Sequence, residues 1–169
     1  MKVIIFRGFA GSVFSTGMGD LQQKIIRKFP KADVQIDGYQ NWLAYSPSLA
    51  DTKDKVVLIG HSFGALATHK LVETHSSTHF PLVVSFDYSP YYSGVVGHPP
   101  DGFVASNVAH ELNFYQEVDP LVRGVHMTAL DPKSTKVENV LTTHSHVDIA
   151  KDKELHDRVL KEMESVCER

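Results

Sequence analysis

The chain has 169 residues, 42% of them hydrophobic and 22% charged, with a formal net charge of −3. This composition is ordinary for a soluble globular protein and predicts one domain over residues 1–169, built around a single core. The lysines and arginines are scattered along the chain, which argues against a protein that binds nucleic acid or an acidic membrane surface.

The first predicted elements are a strand, a helix and a second strand. Val3–Phe6 is a continuous apolar run, typical of a strand buried on both faces of a sheet. After a glycine-rich loop, apolar residues recur every four positions in a helix that Asp20 can cap and Pro30 ends. Ala32–Ile36 is predicted to be a short strand, and residues 38–54 are predicted to be irregular.

The same alternation continues through the middle of the chain. Val56–Ile59 and Leu82–Phe86 are predicted buried strands, and residues 64–74 between them are predicted to form a helix. Residues 88–107, rich in Gly, Pro and Tyr, are predicted to form a long loop.

Two strands and a helix complete the predicted architecture. The strands are Glu111–Gln116 and Val137–Leu141, and Asp152 can cap the final helix. Strands that alternate with helices predict an α/β protein, in which helices cover both faces of a mostly parallel β-sheet.

A serine between two glycines separates a predicted buried strand from a predicted helix, in the sequence Gly60-His61-Ser62-Phe63-Gly64. In a strand–turn–helix with the pattern Gly-x-Ser-x-Gly, the serine occupies a tight turn and its hydroxyl projects above the carboxyl edge of the sheet. The N–H of Phe63 begins the helix, where it can stabilise developing negative charge. The motif therefore predicts Ser62 as a nucleophile, and the alternative is a tight structural turn with a capping serine.

With this motif and the loop His146-Val147-Asp148-Ile149, the chain resembles the small α/β-hydrolases that lack a cap domain, such as the lidless lipases and esterases. The resemblance extends from the first strand to the last helix and implies a minimal α/β-hydrolase fold with a Ser–His–acid triad. It implies His146 as the catalytic base, because a His-x-x-Ile loop often precedes the final helix of these proteins. His144 is the alternative base.

The resemblance also implies an acid between the serine and the histidine in chain order. Asp119 follows a predicted strand and opens an Asp-Pro-Leu-Val turn that resembles the acid loop of the family, so we predict Asp119 as this acid. Asp87 satisfies the same chain order at the end of the preceding strand, and order alone does not decide between them. Glu117 and Asp131 are weaker candidates.

The loop after the first strand is expected to supply a second oxyanion donor. Similar enzymes often have His-Gly where this chain has Arg7-Gly8, which implies the N–H of Phe9 as the donor and Ala10 as its alternative. Arg7 could also form a structural ion pair, and the aromatic residues of the loops could serve only packing. The predicted substrate-binding residues are Arg7, Trp42, Tyr88 and Tyr91.

Together these residues predict a serine hydrolase that cleaves a carboxylic ester of modest size through an acyl-enzyme, without a metal or an organic cofactor. The alternatives are a binding protein with a hydrolase fold but no activity, and an acyltransferase. His144 and His146 stand two residues apart, which is weak evidence for a metal site without a firm third ligand. The expected partner is a small acyl ester, with no nucleic acid and no integral membrane association.

The expected location is the cytoplasm, and export by a route other than a signal peptide is the alternative. Cys167 is the only cysteine, so the chain has no internal disulfide and no sign of an oxidising compartment. The apolar run at the N-terminus is too short for the core of a signal peptide, and no segment approaches the roughly 18 apolar residues of a membrane span.

Overall fold

The structure, a computed structural model, describes residues 1–50, 52–89, 102–119 and 122–168. The strands, numbered in chain order, are β1 Lys2–Arg7, β2 Asp33–Gly38, β3 Val56–His61, β4 Leu82–Phe86, β5 Gly102–Val104, β6 His110–Gln116, β7 Met127–Ala129 and β8 Lys136–Thr142. The α-helices are α1 Gly11–Phe14, α2 Thr16–Lys28, α3 Phe63–Thr74 and α4 Lys153–Glu168. Two further segments, Tyr39–Ser48 and Ile149–Lys151, are 3₁₀-helical.

Six strands form one parallel sheet in the order β2-β1-β3-β4-β6-β8. Because all six run in the same direction, their carboxyl ends meet at one edge of the sheet. β3 and β4 occupy the centre of that edge, and the chain order reverses between β1 and β3, which is where α/β proteins commonly form their sites. β5 and β7 pair separately as a small two-stranded sheet.

Alternate residues of the strands enter two hydrophobic cores, one on each face of the sheet. Val3 and Ile5 of β1 pack with α2 and α4, whereas Ile4 and Phe6 pack with α3 on the opposite face. All four side chains are fully buried, which explains why the strand sequence is apolar throughout and does not alternate. The predicted α/β class, with a parallel sheet covered on both faces, is confirmed.

Some local predictions require correction. Asp20 does not cap its helix, because α2 begins earlier, at Thr16. Asp152 does cap the final helix, and its Oδ1 accepts the Leu155 N–H at 2.9 Å. The short strand β5 lies within the predicted loop over residues 88–107, since three residues give no periodic signal.

The three longer helices all cover the faces of the sheet. α2, α3 and α4 pack on its two faces, so none of them forms a cap over the carboxyl edge. Across the described ranges, no helix combines the length and the apolar composition needed to cross a membrane.

Candidate active site

Ser62 occupies the turn between β3 and α3, at the carboxyl edge of the sheet. Its φ of 58° and ψ of −123° lie in a region that residues with a side chain rarely adopt. The flanking glycines allow the close approach that the turn requires. A Cβ on Gly60 would overlap the backbone of Gly64 and Ala65, and a Cβ on Gly64 would overlap the carbonyl of Phe6.

A hydrogen-bonded chain joins the Ser62 hydroxyl, an imidazole and a carboxylate. Ser62 Oγ lies 3.0 Å from His146 Nε2, and His146 Nδ1 lies 2.5 Å from Asp87 Oδ2. An ionised carboxylate can only accept, so Nδ1 carries the imidazole proton and Nε2 accepts from the hydroxyl. This arrangement can remove the proton from the serine as its oxygen attacks an electrophile.

The carboxylate in this chain belongs to Asp87. Asp87 follows β4, the strand adjacent to β3, and its backbone has a φ of 52°. The side chain is fully buried and also accepts hydrogen bonds from the Gln116 backbone N–H at 3.2 Å and from Gln116 Nε2 at 2.8 Å. These bonds offset the cost of burying the charge and fix the carboxylate toward His146.

The prediction that Asp119 would contact the histidine is therefore corrected, since Asp87 makes that contact. Asp119 lies beyond the end of β6, where its N–H donates to Gln116 Oε1 at 2.7 Å and its Oδ1 accepts the Val122 N–H at 3.2 Å. These bonds hold Asp119 beside Gln116 and Val122, at the wall of the cavity that contains Ser62.

A short turn between β8 and α4 positions His146. Ser145 Oγ accepts the Asp148 N–H at 3.2 Å and donates to Asp148 Oδ2 at 2.7 Å, which closes the loop around the histidine. His144, the alternative base, instead contacts Asp152 Oδ2 at 2.8 Å at the start of α4. Of the two histidines, His146 is the one that meets Ser62.

Ser62 and His146 open into a cavity of about 570 Å³. A cavity of this size with mostly apolar walls is typical of sites for small organic molecules. The apolar walls are formed by Phe9, Phe63, Val122 and Val147.

Two backbone segments flank the Ser62 hydroxyl. Phe63 is the first residue of α3, so its N–H is among those that find no acceptor within the helix. The loop after β1 approaches from the other side, where a Cβ on Gly8 would come within 2.8 Å of Ser62 Cβ. Phe9 follows Gly8 and lines the cavity together with Phe63.

Comparison with solved structures identifies the fold. Across 97% of its residues the chain is similar to a lidless α/β serine hydrolase from Xanthomonas campestris, with a TM-score of 0.56, 12% identity and 81% of that chain covered. A putative YdeN-like hydrolase from Pectobacterium atrosepticum is similar across 97% of this chain and 91% of its own, with a TM-score of 0.54 and 16% identity. The chain has the α/β-hydrolase fold. No protein-family model matches it, and no curated protein matches it significantly in sequence.

In this α/β-hydrolase fold, three residues predicted to bind substrate lie away from the cavity. Arg7 packs its side chain against α1 and α2, and Trp42 lines a separate pocket of about 180 Å³ beside α3. Tyr88 is 1% exposed and packs edge-on to His69, in the core between the sheet and α3. These placements correct the prediction, because the Tyr88 ring is buried in the core and neither Arg7 nor Trp42 lines the cavity. Tyr91 lies outside the described residues.

Ser15 and His61 also line the cavity that contains Ser62, and neither was predicted from the sequence. Ser15 Oγ lies 2.7 Å from His61 Nδ1, and His61 Nε2 lies 2.8 Å from the backbone carbonyl oxygen of His146. Burial and, to a smaller extent, the nearby His146 lower the pKa of His61 from 6.5 to about 3, so its imidazole is neutral. His61 could have been noticed in the sequence, because it is a polar residue at the end of an apolar strand. Nothing in the sequence marks Ser15 as a residue of the site.

Proposed function

We propose that this protein is a serine hydrolase that cleaves carboxylic esters of modest size through an acyl-enzyme. The hydrogen-bonded chain from Ser62 through His146 to Asp87 carries the proposal. A purely structural turn at Ser62 would need neither an imidazole nor a buried carboxylate aligned with its hydroxyl. The fold adds support, since both similar structures are described as hydrolases.

In the proposed acylation step, Ser62 Oγ attacks the carbonyl carbon of the ester while His146 Nε2 accepts the hydroxyl proton. Asp87 keeps the Nδ1–H tautomer in place and stabilises the imidazolium that forms. The N–H groups of Phe63 and Phe9 bind the oxyanion, and one such donor contributes about 3 to 4 kcal/mol to transition-state stabilisation in a related chemistry. His146 then donates its proton to the leaving alcohol as the carbon–oxygen bond breaks.

Deacylation repeats the same steps with water as the nucleophile. Neutral His146 accepts a proton from the water as its oxygen attacks the acyl carbon. The second tetrahedral intermediate collapses, the proton returns to Ser62 Oγ, and the carboxylic acid leaves.

The cavity favours an uncharged acyl group. Phe9, Phe63, Val122 and Val147 offer apolar contact to a hydrocarbon chain, and about 570 Å³ limits its size. Asp119 adds a carboxylate to the wall, which would repel a like charge on the acyl group.

The test combines covalent labelling with turnover. A fluorophosphonate should modify the wild-type protein once, at Ser62, and Ser62→Ala should abolish both the adduct and the hydrolysis of a panel of p-nitrophenyl esters. Ser46→Ala, which alters a serine beside His75, is the matched control and should retain both. Wild-type protein that is neither labelled at Ser62 nor able to hydrolyse any ester of the panel would refute the proposal and favour a binding protein with this fold.

A further inference from the structure

Ser15 and His61 form a buried bridge between two loops that flank Ser62. The Gly8 N–H donates to Ser15 Oγ at 3.1 Å, Ser15 Oγ lies 2.7 Å from His61 Nδ1, and His61 Nε2 lies 2.8 Å from the His146 carbonyl oxygen. Ser15 is fully buried and His61 is 1% exposed. We call this set the Ser15–His61 bridge.

Chemistry allows only one direction for the hydrogen bonds of the bridge when the imidazole is neutral. The His146 carbonyl can only accept, so His61 Nε2 must carry the proton. His61 Nδ1 is then an acceptor and takes the Ser15 hydroxyl proton, while Ser15 Oγ accepts from the Gly8 N–H. Each donor in the bridge therefore has an acceptor, and the chain of bonds runs from Gly8 to His146 without a conflict.

The bridge ends in two loops, and the proposed reaction requires both loops to be correctly placed relative to Ser62. Gly8 directly precedes Phe9, and the loop turns at Ala10 through a left-handed conformation with a φ of 46°. At the other end, the His61 ring also lies against the His146 ring, with centroids 4.9 Å apart. The bridge thus holds both the backbone and the ring of His146.

We propose that Ser15 and His61 are positioning residues, which fix the loop carrying the Phe9 N–H and the loop carrying His146 at a set separation on either side of Ser62. This inference rests on the proposed function, because it assigns these residues a role in the same reaction. His61 acts through the His146 backbone and ring, and Ser15 acts through the Gly8 N–H.

The environment of His61 suits this role. Burial and the neighbouring His146 keep the pKa of His61 far below that of a free imidazole, so it remains neutral while His146 gains and loses its proton. A neutral ring beside His146 adds no repulsion when the imidazolium forms. The hydrogen-bond direction of the bridge is therefore the same at each stage of the reaction.

The first experiment compares two serines that each bond to a histidine at the same distance. In the bridge, Ser15 Oγ lies 2.7 Å from His61 Nδ1. Outside the bridge, Ser46 Oγ lies 2.7 Å from His75 Nε2. Misplacing catalytic groups by about 1 Å costs on the order of 100-fold in rate. We therefore expect Ser15→Ala to lose about 10- to 100-fold in kcat on a p-nitrophenyl ester, with KM little changed, while Ser46→Ala keeps the wild-type kcat.

The second experiment asks whether the hydrogen-bond pattern, rather than the imidazole itself, is required. A glutamine at position 61 can accept from Ser15 and donate to the His146 carbonyl, whereas a leucine can do neither. His61→Gln should recover much of the kcat that His61→Leu loses, in variants matched for thermal stability. Nitrogen-15 NMR of the wild-type imidazoles should show His61 as the neutral tautomer with its proton on Nε2.

The outcomes separate this inference from the proposed function. Wild-type protein that is labelled and active, with Ser15→Ala no slower than Ser46→Ala, would overturn the bridge and leave the hydrolase intact. A proton on His61 Nδ1, or equal kcat for His61→Gln and His61→Leu, would also overturn the bridge. Failure of the proposed function shows separately, as wild-type protein that is neither labelled at Ser62 nor active.

Discussion

The backbone of Asp87 adopts a φ of 52°, a conformation that non-glycine residues reach mainly when surrounding contacts hold them there. Its N–H donates to the Phe114 carbonyl at 2.7 Å, and Gln116 contributes both a backbone and a side-chain donor to its carboxylate. Gly124 completes the surroundings, because a Cβ there would overlap Asp87 Oδ1. A residue held this firmly presents one carboxylate oxygen to His146 in a fixed direction.

Two isosteric substitutions distinguish Asp87 from Asp119. Asp87→Asn removes the acceptor that fixes the His146 tautomer, a change that costs about 10⁴ in kcat in a serine protease, so we expect a loss of at least about 100-fold. Asp119→Asn should stay within about 10-fold of wild type on a neutral ester, since an amide still fits the wall of the cavity. The measurement is kcat on one ester, with thermal melts to show that both variants fold. A larger loss for Asp119→Asn than for Asp87→Asn would restore the sequence prediction.

The strand β3, the turn after it and the helix α3 together position Ser62 at the cavity. β3 is buried along its whole length, and α3 packs on the sheet through a face of small and apolar residues. Ser62 sits between them, with its N–H donating to the Phe86 carbonyl of the neighbouring strand at 2.9 Å. Packing on both sides therefore maintains a turn that would be unfavourable in isolation.

Two glycine-to-alanine substitutions should have opposite effects on stability. In Gly64→Ala the new methyl would overlap the Phe6 carbonyl, and a forced shift of this kind costs about 1 to 3 kcal/mol of unfolding free energy. Gly19→Ala lies inside α2, where the nearest atom is Arg7 Nη2 at 3.3 Å, and it should gain about 0.5 to 1 kcal/mol. Urea denaturation gives both values. The explanation fails if Gly64→Ala is as stable as wild type and still labelled at the wild-type rate.

Buried histidines tie the stability of the whole molecule to pH. Burial lowers the pKa of three of them, His61 to about 3, with His110 and His156 also lowered. They lie in β3, β6 and α4, which are joined through the sheet and one core. In the unfolded chain each imidazole returns to a pKa of about 6.5.

The sign of the pH effect follows from these shifts. Below pH about 6.5 these histidines bind protons in the unfolded chain but not in the folded protein. The free energy of unfolding therefore falls as pH falls. For His61 the decline continues from pH 6.5 to about 3, with a slope of about 1.4 kcal/mol per pH unit. Above pH 6.5 the imidazole is neutral in both states and contributes no slope.

Replacing His61 should flatten this profile. We expect the unfolding free energy of His61→Gln to decline less steeply than wild type between pH about 6.5 and about 4, by about 1.4 kcal/mol per pH unit. Gly19→Ala, which leaves every titratable group in place, should follow the wild-type slope. Urea denaturation at each pH supplies the curves, and parallel curves for wild type and His61→Gln would contradict the assignment of a neutral buried imidazole.

Local patterns in the sequence were enough to predict the fold class and the first member of the chain of hydrogen bonds, Ser62. The apolar run before Ser62, its two glycines and the helix after it depend only on neighbours in sequence, so the turn could be predicted directly. His146 was implied by the resemblance to the α/β-hydrolases, through its His-x-x-Ile loop before the last helix, and Ile149 anchors that loop in the core. Short strands such as β5 gave no signal, since their pairing depends on β7, which is distant in the chain.

The sequence by itself determined that this protein has a buried parallel sheet, helices on both faces, and a serine on a tight turn at the carboxyl edge. Only the tertiary structure decided which carboxylate meets His146, because Asp87 and Asp119 both follow strands and come in the same chain order. The packing of β4 beside β3 brings Asp87 to the histidine, and hydrogen bonds to Gln116 and Val122 keep Asp119 at the cavity wall. The Ser15–His61 bridge was decided in the same way, since folding alone brings together the start of α2, the end of β3 and the loop after β8.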